Sequence, residues 1–134
     1  MTDVTGFGLA GHSLEMARAS GVTLRLDASQ IPLLPNSETL ARDGIITGAS
    51  GRNWQSYRDS VALSDGLSDW QRHILTDPQT SGGLLIACEP SAAPAILKRI
   101  QVAGYDGARR IGHVLEGEAK VEVTMTGPSG ARCD

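Results

Sequence analysis

A chain of 134 residues, 40% of them hydrophobic, is long enough for one domain with its own core and too short for two of ordinary size. Its net charge of −3, with both signs interspersed, excludes non-specific nucleic-acid or anionic-membrane binding as the main activity, because both require a cationic surface. With one Phe, two Tyr and two Trp, the core must be built from Leu, Ile, Val and Ala, and 16 glycines imply many tight turns.

The chain opens on Met1-Thr2-Asp3-Val4-Thr5-Gly6-Phe7-Gly8-Leu9-Ala10-Gly11, a carboxylate and a hydroxyl placed just before a glycine turn. Residues 9–20 then carry Ala10, Leu14 and Ala17 at helical spacing, with Gly21 as the stop. Residues 22–27 alternate apolar and polar positions, which predicts a strand with Val22, Leu24 and Leu26 facing the core. Two prolines keep residues 31–35 out of any regular element and leave a connector whose apolar side chains dock on the core. Asn36 or Ser37 caps a short helix through Leu40 that Gly44 ends. Residues 47–65 are polar and weakly periodic, so a long surface loop is expected there.

Ser68 or Asp69 caps a helix through Trp70 and Leu75, with Pro78 just past its end. Residues 77–83 form a turn of small polar residues, and the apolar run 84–88 reads as a central strand buried on both faces. Residues 91–103 make a helix stopped by Gly104, and residues 108–115 and 119–126 make two strands joined as a hairpin through Glu116-Gly117-Glu118. Helices returning between strands give an α+β (α/β) fold, a single mixed β-sheet flanked by helices, over residues 1–127, with a disordered tail over 128–134.

Several groups could carry chemistry. A glycine turn that opens a helix presents backbone N–H groups and the positive helix end to an anion, and Asp3 offers the hard oxygen that Mg²⁺ prefers. Asp3 read alone is better explained as a turn or helix cap. Asp77 has the same ambiguity as a turn-former before Pro78, and Thr80, Ser81, Gly82 and Gly83, which could line a polyphosphate channel, are without a partner motif more safely read as a tight turn. Gly6, Gly8 and Gly11 match the dinucleotide pattern G-x-G-x-x-G, with Asp27 near the spacing of the ribose acid, but residues 1–5 are too short and polar for the buried strand that pattern needs.

His12, His73 and His113 lack metal-ligand spacing, and a Ser81, His12 and Asp3 triad has no nucleophile elbow. Cys88 reads as an inert core residue and Cys133 as a tail thiol; two distant cysteines suggest neither a disulfide framework nor zinc, which fits a reducing cytoplasm. No apolar run reaches membrane-spanning length, and the start has no signal-peptide pattern. Arg52, Arg109 and Arg110 read as solvated charges, with Arg52 the one to test.

The run from Thr2 to Leu9, with Gly11-His12 and Leu14-Glu15-Met16-Ala17 after it, resembles the second-half signature of the selenophosphate synthetase family. Pro32-Leu33-Leu34-Pro35, Gly48-Ala49-Ser50-Gly51-Arg52-Asn53, Asp77-Pro78-Gln79-Thr80-Ser81-Gly82-Gly83-Leu84-Leu85 and Ile111-Gly112-His113-Val114 resemble it in the same order. The resemblance implies the C-terminal domain of a two-domain enzyme, in a superfamily with aminoimidazole ribonucleotide synthetase, whose reaction turns ATP, selenide and water into selenophosphate, AMP and phosphate. It implies Asp3 as a ligand to Mg²⁺ on the ATP phosphates, with Thr5, Gly6, Gly8, Thr80, Ser81 and Gly82 lining the same cleft. The reactive cysteine or selenocysteine and lysine, the other metal aspartates and most of a homodimer interface would lie in an N-terminal ATP-binding half outside this chain. No catalytic residue is then expected here, and the chain alone should not turn over ATP. Two other readings are a free-standing nucleotide module and an assembly domain that self-associates through an exposed face.

Overall fold

The computed structural model describes residues 1–125. The expected tail, with Cys133, lies outside the described residues. Helix α1 (Gly8–Ser20) buries Ala10, Leu14 and Ala17, and Gly21 ends it in the left-handed conformation (φ 63°) with its N–H donating to Ala17 O. The chain then reverses into strand β2 (Thr23–Asp27), where Leu24 and Leu26 are buried and Val22 stays half-buried just outside the strand. In the proline connector only Ile31 packs on the core, while Leu34 is 75% exposed, so the docking expected of that segment is partial. Helix α2 (Ser37–Arg42) follows.

The stretch expected as a loop holds helix α3 (Gly48–Tyr57) and strand β3 (Val61–Leu63). Apolar spacing missed α3 because a polar residue, Ser50, sits on its inner face at 0% exposure. Helix α4 (Asp69–Thr76) starts at Ser68, whose N–H donates to Gln71 Oε1 at 2.8 Å, the second half of a capping box. The remaining elements are β1 (Thr2–Asp3), β4 (Leu84–Leu85), α5 (Ala93–Val102), β5 (Gly112–Leu115) and β6 (Lys120–Thr124).

The four-stranded sheet runs β3-β6-β2-β5, with β6 parallel to both β3 and β2 and β5 antiparallel to β2. It is mixed, as expected, but not through a hairpin: β2 lies between β5 and β6. The connection crosses the start of β2, where the Thr23 hydroxyl donates to Glu118 O at 2.7 Å and Gly117 turns with φ 145°. One sheet face supplies Leu26, Val61, Val121 and Val123 to a core completed by Ala10 and Leu14 of α1, Tyr57 of α3 and Leu75 of α4. Full burial of each such aliphatic side chain is worth about 2 kcal/mol. The opposite face is polar. Arg25 donates to Glu122 Oε2 through Nε at 2.9 Å and a terminal nitrogen at 2.7 Å, and Lys120 Nζ lies 3.0 Å from Oε1. These bonds, Arg25 first, hold the Glu122 carboxyl below its usual range.

The run 84–88 is not a central strand. Only Leu84 and Leu85 are extended, in a separate two-stranded ladder with β1, and Leu84 is 66% exposed. Cys88 is correspondingly exposed rather than a core residue. Among the described residues, no helix is long and apolar enough to cross a membrane.

Candidate functional site

The β1–β4 ladder builds the site. Thr2 pairs with Leu85 and Asp3 with Leu84, the Val4 N–H donates to Gly83 O at 3.0 Å, and the Gln79 N–H donates to Thr5 O at 3.0 Å. The opening segment and the 77–83 turn are thus two sides of one edge. Val4 is buried between exposed Asp3 and Thr5, the alternation of an extended chain. Asp3, Thr5 and Gly6 from one segment and Thr80, Ser81 and Gly82 from the other are brought together, all exposed.

The glycines divide by cause. A Cβ on Gly82 would overlap the Val4 carbonyl oxygen, so the ladder itself demands glycine there. Gly8 is buried with φ 71°, and its Cβ would stand 2.7 Å from the backbone carbon of Thr76 and 2.8 Å from Leu75 O, where α1 begins against the end of α4. A Cβ on Gly11 would press on Tyr57 at 2.9 Å. Gly6 is exposed, with nothing within 4 Å of its Cβ position. Two of the three glycines of the dinucleotide pattern therefore serve helix packing. Asp27 turns to its own backbone, accepting from the Ser29 N–H at 3.0 Å and the Ser29 hydroxyl at 2.7 Å.

Two residues of α3, both within the stretch expected as a loop, hold the glycine turn from beneath. Asn53 Nδ2 donates to Gly6 O at 2.8 Å and Thr76 O at 3.0 Å, and the Tyr57 hydroxyl donates to Phe7 O at 2.7 Å. Burial pushes the Tyr57 hydroxyl pKa up to about 12, so it stays a donor across ordinary pH. The one sign of Asn53 in the sequence was its place in the 48–53 run that carried part of the family resemblance. Helix α3 is in turn locked to α4 by buried hydroxyls: Ser50 Oγ lies 2.6 Å from Thr76 Oγ1 and donates to His73 O at 3.0 Å. The Thr47 hydroxyl, at the head of α3, donates to Asp77 Oδ1 at 2.7 Å, so Asp77 is tied into the scaffold.

The histidines are separately engaged. His12 is buried beside Thr5 and Glu15, not Ser81 and Asp3, so the triad drawn from sequence does not form. His113 Nδ1 lies 2.9 Å from a terminal nitrogen of Arg110. Arg52 is exposed, on α3 rather than on a loop, and Arg109 is exposed as expected. Among the described residues no three of His, Cys, Asp and Glu gather to hold a metal ion. A cleft of about 510 Å³ lined by Arg25, Asp27, Arg110 and His113 shares no residue with this edge.

His73 Nδ1 lies 3.2 Å from Ser50 Oγ, and burial, followed by the neighbouring Arg72 charge, lowers its pKa from the usual 6.5. The folded chain therefore binds fewer protons than the unfolded chain in the window below pH 6.5. The stability that depends on a neutral His73 is complete above that pH and lost as pH falls through the window. Urea midpoints at about pH 7.5, 6.5 and 5.5 should decline on the acid side, and His73→Gln should flatten the decline.

The fold and this edge define a class: an α+β domain that offers an exposed carboxylate, a hydroxyl and a glycine turn held by hydrogen bonds from α3. The chain belongs to the family described as AIR synthase related protein, C-terminal domain, which matches residues 1–124. It is similar to selenide, water dikinases, the enzymes also called selenophosphate synthetases. It is 54% identical over 123 residues to that of Rhizobium meliloti (strain 1021), 50% to that of Burkholderia orbicola (strain MC0-3) and 49% over 124 residues to that of Burkholderia pseudomallei (strain K96243). Each match covers 92% of this chain and 35% of the relative, so the chain spans about a third of the length of the curated relatives it matches.

Proposed function

We propose that this chain is the metal- and phosphate-facing C-terminal domain of an ATP-dependent phosphotransferase that makes selenophosphate from selenide, ATP and water. The supporting observation is the pairing of the segment that carries Asp3, Thr5 and Gly6 with the end of the turn that carries Thr80, Ser81 and Gly82, in a chain about half identical to selenide, water dikinases. The donor chemistry fits magnesium: Asp3 supplies a hard, exposed oxygen, and in this reading the remaining ligands come from another part of the enzyme. When bound, the ion neutralises charge developing on the phosphates. Gly6, with open space around it, lets a ligand approach the backbone, and Asn53 and Tyr57 hold that backbone still.

In this reading an N-terminal ATP-binding half closes over the edge, the working enzyme is a cytoplasmic homodimer, and the chain alone is inactive. The test is an enzyme in which this chain replaces the matching third of the Rhizobium meliloti relative. ATP consumption dependent on selenide is expected from the hybrid and not from the chain alone. A folded hybrid without that activity would remove the assignment. Submicromolar binding of NAD by the chain would favour the dinucleotide module instead, an outcome disfavoured by the packing roles of Gly8 and Gly11.

A further inference from the structure

Thr5, His12 and Glu15 lie side by side behind the edge. His12 is 7% exposed, and an imidazole is costly to bury unless its nitrogens are matched. Its Nε2 lies 3.0 Å from Thr5 Oγ1, and its Nδ1 lies 2.9 Å from Glu15 Oε2, outside the line of a straight hydrogen bond. The Phe7 ring packs against it, 5.6 Å between centres. A carboxylate oxygen 2.9 Å away repels a lone pair on Nδ1, so this placement favours the tautomer with hydrogen on the nitrogen beside Glu15. In the neutral ring Nε2 is then a lone pair, and the Thr5 hydroxyl donates to it. A hydroxyl whose hydrogen is turned inward presents only lone pairs to solvent. Thr5, like Asp3 two residues before it, is exposed. A phosphate oxygen brings no hydrogen to such a group, whereas water held by a divalent cation is a strong donor.

We propose that Thr5, His12 and Glu15 act as a relay that fixes the Thr5 hydroxyl as an acceptor, so that this turn seats the water shell of a hydrated divalent cation rather than a phosphate oxygen. The inference rests on Asp3 as a metal ligand and gives Thr5 a different partner from the phosphate implied by resemblance. His12 is a positioning residue: it touches Thr5 and not the cation.

Two measurements on this chain test it. Long-range ¹H–¹⁵N correlation at His12 should show hydrogen on Nδ1, with the Nε2 resonance shifting in Thr5→Val as its donor is lost; hydrogen on Nε2 in the parent would overturn the relay. Titration with Mn²⁺ alone should broaden the amide signals of residues 3–6 in the parent and in Thr5→Ser. Thr5→Val should need about threefold to tenfold more Mn²⁺, the span of one ordinary hydrogen bond. Dimethyl phosphate alone, a phosphate anion with no O–H to donate, should leave these signals in place. Broadening lost in Asp3→Asn but unchanged in Thr5→Val would keep the metal ligand and overturn the role of Thr5. No Mn²⁺ effect at residues 3–6 would overturn both, and phosphate shifts centred on Thr5 would overturn the acceptor assignment.

Discussion

In the hybrid enzyme, Asp3→Asn is expected to lower ATP consumption by about a hundredfold or more while leaving the thermal midpoint within a degree or two of the parent. The substitution keeps the shape of the side chain and replaces a charged hard oxygen with a neutral amide, which is a poor partner for magnesium. The fold has little reason to respond. Asp3 is exposed, and its place in the ladder depends on backbone pairing with Leu84 that asparagine preserves. Excess magnesium should recover part of the rate if the defect is weakened metal binding. Near-parent turnover would take Asp3 out of the site.

Gly8→Ala should have the opposite profile, a large loss of stability arising away from the reacting groups. Alanine at φ 71° costs about 1 kcal/mol or more, and its Cβ would press on the backbone of Leu75 and Thr76, which cannot rotate away as a flexible side chain would. Together these amount to about 3 kcal/mol, a large share of the stability of a small domain. Gly6→Ala, a few atoms along the same turn, meets nothing and should move the urea midpoint little. Measuring both by urea unfolding separates a glycine required by helix packing from one that leaves room for a ligand. Equal losses in the two variants would refute that division.

The sequence was readable where one face of an element meets the core. Ala10, Leu14 and Ala17 with Gly21 marked α1, and Leu24 and Leu26 marked β2, because burial imposes periodicity on the residues that experience it. Helix α3 was hidden because it joins α4 through Ser50 and Thr76, whose paired hydroxyls put a polar residue on the inner face that Trp54 and Tyr57 otherwise line. The apparent hairpin failed for a different reason: local spacing records that two strands are close in the chain, not that β2 lies between them. The run 84–88 was taken as core because hydrophobicity does not name its cover, and Leu84 and Cys88 are exposed among the described residues. At the candidate site, Asp3 and the 77–83 turn were visible as motifs. Asn53, Tyr57 and the contact of His12 with Thr5 required three dimensions, since each joins segments that are distant in the chain or turned around a helix.

The placement of β6 bears on how the domain is made. Its Val121 and Val123 fill the middle of the sheet, between β3 and β2, yet they are among the last described residues to leave the ribosome. During synthesis the helices can form early, but the slot they cover stays open until residue 124 has emerged, so closure is a late, nearly all-at-once event.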